Sequence, residues 1–196
     1  MNLKVPNLLT LSRLLLAAIM MVLLSVSFLY AKTFALLLFI LAGITDYLDG
    51  YLARRVYGVS AFGRLMDPLT DKVLVCMAFI AFVELRVLPA WIAVIIVSRE
   101  FLVTGLRLLA ANRGEIISAG RWGKHKTVWQ IIVIGLLLIG VAIRDDFLRY
   151  ARPSAIVHYD MVFGYIALAI SVAVTLLTMV SGGMYFYEHR QLISED

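Results

Sequence analysis

Charge is scarce in this chain: only 16% of its 196 residues are Asp, Glu, Lys or Arg. A soluble domain covers its surface with about 25–35% charged residues, and a disordered chain carries far less apolar material than this one. Cysteine is nearly absent. The single Cys76 excludes an intramolecular disulfide and a cysteine-rich zinc site, and its apolar surroundings mark it as a packing residue. His125, His158 and His189 have no acidic or histidine partner at ligand spacing, so none receives a metal or catalytic role. Internal repeats, low-complexity tracts and long linkers are also lacking, which leaves one domain over 1–196. The opening MNLKVPNLLTLSR holds a proline and two separated basic residues. No small-residue cleavage site follows its apolar run, so no cleavable signal peptide is expected.

What is abundant is apolar sequence. Hydrophobic residues make up 62% of the chain and the mean hydropathy is +0.93, against about 45–50% apolar residues in a soluble domain. Such an excess has to face a lipid solvent. A spanning helix needs about 20 mostly apolar residues, and six stretches qualify, at about 8–30, 33–54, 67–85, 88–109, 126–143 and 159–186. Tyr30, Trp91, Trp122, Trp129 and Tyr150 fall near their ends, where interfacial aromatics gather. Leu3, Val5, Leu8, Leu9 and Leu11 suggest a short amphipathic segment along the interface, or else the first turn of helix one. The expected fold is an all-α membrane protein with six transmembrane helices.

The formal charge of +5 and pI near 9.5 would suit nucleic acid in a soluble protein. In a membrane protein they point to cytoplasmic loops beside anionic lipid. With both termini inside, the inner segments collect Lys4, Arg13, Arg54, Arg55, Arg64, Lys72, Arg107, Arg113, Arg121, Lys124, Lys126 and Arg190. The outer ones keep Lys32, Arg86, Arg144, Arg149 and Arg152, so cytoplasmic termini are expected.

Ionisable groups inside apolar spans cost several kcal/mol unless paired or hydrated, which makes them functional candidates. Four aspartates fall in DYLDGYLARRVYGVSAFGRLMDPLTD. At about 100° per residue, Asp46, Asp49, Gly50 and Ala53 share one helix face, and Asp67 and Asp71 share a face of the next helix. The connection at about 55–65, with Gly58 and Gly63, can reverse the chain so that the two pairs meet. Four bare carboxylates would repel in a low dielectric, and one or two divalent cations remove the repulsion. An all-oxygen donor set suits Mg²⁺ or Mn²⁺, the cations that polarise and neutralise phosphates. Structural pairing with Arg54, Arg64 and Lys72 is the rival reading. Gly50 and Ala53 let a bulky ligand approach the backbone, or let two helices pack closely.

The stretch reads Asp46-x2-Asp49-Gly50-x2-Ala53-Arg54-x8-Gly63-x3-Asp67-x3-Asp71. In every fixed position and spacing it resembles the signature of the CDP-alcohol phosphatidyltransferases. Asn7-Leu-Leu-Thr10-Leu-Ser-Arg13, Ser98-Arg99-Glu100-Phe101 through Arg107, and Gly123-Lys124-His125-Lys126-Thr127-x2-Gln130 are similar to segments of the family's bacterial phosphatidylglycerophosphate synthases. The likeness covers about residues 5 to 130. It implies a six-helix fold with a cytoplasm-facing cavity in the bacterial inner membrane, often as a homodimer. Asp46, Asp49, Asp67 and Asp71 would hold two divalent ions, with Asp71 also the base that deprotonates the acceptor hydroxyl. Gly50, Ala53, Arg54 and Gly63 would line the CDP pocket, with Asn7 and Thr10 assisting. The acceptor would attack the β-phosphate of CDP-diacylglycerol and expel CMP. A carboxylate beside a cation keeps a low pKa, so orientation and metal electrostatics are expected to outweigh proton abstraction by Asp71.

The shared signature does not select the acceptor; the basic residues favour a phosphorylated one, with loop charges that contact lipid headgroups as the alternative reading. Arg99, Arg107, Lys124 and Lys126 lie at the ends of spans four and five. Converging beside the metal cavity they would bind a phosphate dianion. Adjacent helix residues point apart, so Arg99 is expected to serve the acceptor rather than pair with Glu100. The resemblance then makes glycerol 3-phosphate the first choice and inositol phosphate the second. A metal or metabolite transporter is the rival class, but transporters place their site near the midplane between repeated halves. Glu84, Glu115, Asp160 and the last third of the chain have no role at this level.

Overall fold

Unbroken apolar sequence can satisfy its backbone hydrogen bonds within one segment only as helix, and that is what this chain forms. The computed structural model describes residues 5–56, 61–112, 121–188 and 190, with side chains described at 12–45, 72–111, 126–188 and 190. Six α-helices follow one another: α1 Val5–Ser25, α2 Ala31–Val56, α3 Ala61–Glu84, α4 Ala90–Asn112, α5 Arg121–Ala142 and α6 Pro153–Glu188. A π-helical turn, Ile143–Phe147, continues α5. No strand occurs among the described residues.

Of the two readings of the N-terminal segment, the structure takes the second: residues from Val5 onward run without interruption into α1 as its first turns, and Leu3 lies outside the described residues. Two boundaries need correction. Gly63 lies inside α3, because the helix begins at Ala61 and shortens the connection to 57–60, where Gly58 falls outside the described residues. The last helix begins at Pro153, several residues before the expected boundary. Proline suits a first helical position, since its missing N–H is one the helix would not use there.

Contacts at the two ends show that the helices run alternately up and down. At one end Ser25 Oγ donates to Glu84 Oε2 at 3.4 Å, Thr33 bonds Asp146, and Arg149 donates to the Ser27 carbonyl at 3.2 Å. At the other end Lys72, Glu100 and Lys126 meet, and Arg99 reaches Ser181. α1 packs on α2 and α3, α2 on α5, α3 on α4, and α6 on α4 and α5. Between them lies a core built from Met20, Phe39, Phe79, Phe82, Ile92, Ile96, Ile134 and Leu138. Cys76 is buried as a free thiol, as its sequence context indicates.

The first end is pinned by helix capping. Lys32 Nζ is buried over the carbonyls of Leu24 and Val26, the second at 2.8 Å, where the C-terminus of α1 presents unpaired acceptors. Asp146 accepts from both the Thr33 amide and Thr33 Oγ1 at 2.7 Å and so closes the N-terminus of α2. The turns bend through Tyr30 (φ 62°) and Arg86 (φ 57°), both left-handed. At the second, Val87 N–H returns to the Phe82 carbonyl at 2.9 Å and terminates α3.

Outward, the bundle is apolar. Leu37, Leu41, Val128, Trp129, Leu136, Tyr165, Leu176 and Val180 are all exposed. Exposed apolar side chains in this number are unusual for a water-facing surface. The stretch Lys126–Phe147 and helix α6 are each long and apolar enough to cross a membrane. Among the described side chains, α1 and α2 are apolar over Ser12–Ser25 and Ala31–Thr45.

Candidate active site

The signature falls on the last turns of α2 and the first turns of α3, at the end of the bundle where Lys72, Glu100 and Lys126 meet. α2 carries Asp46, Asp49, Gly50, Ala53 and Arg54; α3 carries Gly63, Asp67 and Asp71. Their side chains, with those of Asn7, Thr10 and Lys124, lie outside the described residues. Among the described residues no group of three metal-ligating side chains occurs.

A cavity of about 550 Å³ opens beside this end. Its apolar wall on α2 runs through Phe39 and Ile40 to Ile44, two residues short of Asp46. Lys72, the residue after Asp71, begins its wall on α3. Glu100 and Gln130 complete the polar side. A second cavity of about 580 Å³ lies at the opposite end, among Lys32, Glu84, Asp145, Asp146 and Asp160. Several of its charges are already used: Lys32 and Asp146 cap helices, and Arg144 pairs with Asp145 at 2.6 Å. The site is therefore the smaller cavity at the signature end.

Glu100 is the centre of this cavity's polar wall. Its side chain is 1% exposed and is met from three helices. Lys126 Nζ, itself 1% exposed, pairs with Oε1. Lys72 Nζ stands 3.6 Å from Oε2, and Gln130 Nε2 donates to Oε1 at 3.4 Å. Arg99 Nη1 donates to Oε1 at 3.3 Å, which corrects the expectation that these neighbours point apart. The long guanidinium arm turns back along the helix, a reach that the spacing of Cβ positions does not limit. Three basic side chains thus surround one carboxylate.

Arg99 and Arg107 are both seated by α6. Arg99 Nη2 donates to Ser181 Oγ at 3.1 Å, and its Nε is buried without a partner among the described residues. Gly182 lies under the arginine stem: a Cβ there would stand 3.0 Å from Arg99 Cγ. Arg107 Nε donates to Tyr185 Oη at 3.2 Å, with its guanidinium carbon 5.3 Å from the ring centroid. The structure thus brings Arg99 and Lys126 together around Glu100 and sets Arg107 one further contact along α6. Sequence reading missed Glu100, Ser181 and Tyr185. Glu100 carried a signal, as a carboxylate in an apolar run. Ser181 and Tyr185 carried none, because small and aromatic residues are ordinary in a spanning helix.

The family profile described as CDP-alcohol phosphatidyltransferase matches residues 3–180. A CDP-diacylglycerol–glycerol-3-phosphate 3-phosphatidyltransferase of Bacillus subtilis (strain 168) is 39% identical over 202 aligned positions, covering 97% of this chain and 97% of the relative. The protein of the same name from Rickettsia typhi (strain ATCC VR-144 / Wilmington) is 33% identical over 183 positions, covering 93% of this chain and 95% of its own length. The profile reaches all six helices, and the chain belongs to the CDP-alcohol phosphatidyltransferase family.

Proposed function

We propose that this protein transfers the phosphatidyl group of CDP-diacylglycerol to glycerol 3-phosphate, giving phosphatidylglycerophosphate and CMP. The observation that carries the choice of acceptor is the basic cluster around Glu100 at the signature end, in which Arg99 keeps a buried Nε–H unpartnered among the described residues. A buried donor without a partner costs about 1–3 kcal/mol, and a phosphate oxygen would satisfy it. Relatives at up to 39% identity over nearly the whole chain bear the name of that transferase.

The donor set of Asp46, Asp49, Asp67 and Asp71 is all carboxylate, on two consecutive helices, and fits two Mg²⁺ or Mn²⁺ ions. When bound, such ions neutralise the diphosphate and stabilise the departing CMP. Four carboxylates balance two divalent cations. Arg99, Arg107, Lys124 and Lys126 hold that phosphate. Gly50, Ala53, Arg54 and Gly63, with Asn7 and Thr10, receive the CDP moiety. The acceptor hydroxyl oxygen bonds to the β-phosphorus, and the bond from that phosphorus to the CMP oxygen breaks. The hydroxyl proton passes to Asp71. Orientation by the basic cluster contributes more than this base, whose basicity the neighbouring cations suppress.

The protein works as an integral membrane enzyme with six spanning helices in the bacterial cytoplasmic membrane, as a homodimer. Both termini and the site face the cytoplasm, where charged acceptors are dissolved. The test is CMP release by purified enzyme in detergent with CDP-diacylglycerol and Mg²⁺, each acceptor supplied singly. Release with glycerol 3-phosphate alone, abolished by EDTA, is the expected result. Release with inositol phosphate or serine instead would overturn the acceptor assignment.

A further inference from the structure

A carboxylate that is 1% exposed in the interior of a helical bundle is expensive unless every lone pair is used. Glu100 uses them on groups from three helices: Lys72 of α3, Arg99 of its own α4, and Lys126 and Gln130 of α5. All of these lie on the wall of the cavity beside the signature or next to it, and none belongs to the aspartate set. Arg99 is held from its far side as well, by Ser181 Oγ at 3.1 Å and by the Gly182 backbone under its stem. The guanidinium is therefore fixed at two nitrogens with its third, Nε, unpartnered among the described residues.

We propose that Glu100 is the positioning residue of the acceptor-phosphate subsite: it sets Arg99 and Lys126 in the arrangement that receives the phosphate, without touching the acceptor itself. The inference rests on the proposed use of a phosphorylated acceptor. Its physical basis is pre-organisation. Free lysine and arginine arms lose side-chain entropy when they close on an anion, whereas arms already held by a buried carboxylate have lost it on folding.

The experiment uses full-length enzyme in detergent with Mg²⁺, comparing wild type, Glu100→Gln and Glu100→Asp. KM is measured for each substrate separately, with thermal unfolding alongside. Glu100→Gln keeps the shape and removes the charge; it is expected to raise KM for glycerol 3-phosphate by about tenfold or more, leaving KM for CDP-diacylglycerol within about twofold. Glu100→Asp keeps the charge but retracts it by one methylene, and is expected to raise the acceptor KM by about threefold. Should the glutamine variant fail to fold, the aspartate variant decides alone. An unchanged acceptor KM in the folded variants, or both KM values rising together, would mean that Glu100 only holds the bundle, and the inference falls. If wild type releases CMP only with a non-phosphorylated alcohol, the acceptor reading fails first and takes the inference with it.

Discussion

Arg107 donates its Nε–H to Tyr185 Oη at 3.2 Å and lies 5.3 Å from the centre of the same ring. The last turns of α6 thereby reach back to the helix that carries the arginines proposed to hold the acceptor. A segment that reads as featureless apolar sequence seats both of them.

That contact separates two effects of one residue. Tyr185→Phe keeps the ring under the guanidinium and removes the hydroxyl acceptor, so KM for glycerol 3-phosphate should rise by about two- to fivefold. Tyr185→Ala removes both and should raise it further. Steady-state kinetics with the two variants checks the order, and equal effects from both would show that the ring contributes nothing.

The aspartates predict a different pattern. Asp67→Asn removes one carboxylate from the proposed set of four ligands and should lower kcat by about a thousandfold or more, the loss that follows where the proposed metal ions stabilise the leaving group. EDTA should abolish CMP release from wild type, and added Mg²⁺ should restore it. Activity that survives chelation would remove the metal from the proposed mechanism.

Asp146 offers a control far from the chemistry. Its carboxylate accepts two hydrogen bonds from Thr33 at 2.7 Å each and is buried. Asp146→Ala should cost about 1–3 kcal/mol of stability, seen as a lower Tm in detergent. The KM values of the folded fraction should stay as in wild type, because this end of the bundle lies opposite the signature.

Gly140 has no room for a side chain. A Cβ at this position would run into the ring of Phe163, where α5 meets α6, and the Tyr159 hydroxyl donates to the Gly140 carbonyl at 2.9 Å. Gly140→Ala should destabilise the protein by about 1–3 kcal/mol through overpacking. Phe163→Leu should relieve part of the clash when combined with it. A double-mutant cycle of unfolding midpoints measures this coupling, and simple additivity would contradict it.

Helix number, order and most boundaries are readable in the sequence because apolar run length and backbone satisfaction are local properties of the chain. The start of α3 is not: whether Gly63 belongs to a turn or a helix depends on what packs beside it, and composition does not say. The aspartate signature is legible for the same local reason, as charges in an apolar run at helical spacing. The acceptor-site bases can be named from their sequence positions, but their partners cannot. Helical spacing alone sends Arg99 and Glu100 apart, and a long flexible arm makes them meet.

Sequence alone determined that this chain is helical and apolar, and that it carries a carboxylate constellation suited to divalent cations and phosphates. These follow from side-chain chemistry and from spacings of a few residues. Only the tertiary structure decided that Glu100 collects cations from α3, α4 and α5, and that Ser181, Gly182 and Tyr185 seat the arginines. Apart from the adjacent Arg99 and Glu100, the hydrogen-bonded and ion-paired residues among these stand 26 to 82 positions apart. Their geometry depends on how the helices are rotated and staggered against one another, which ridge-into-groove packing settles over whole helix faces.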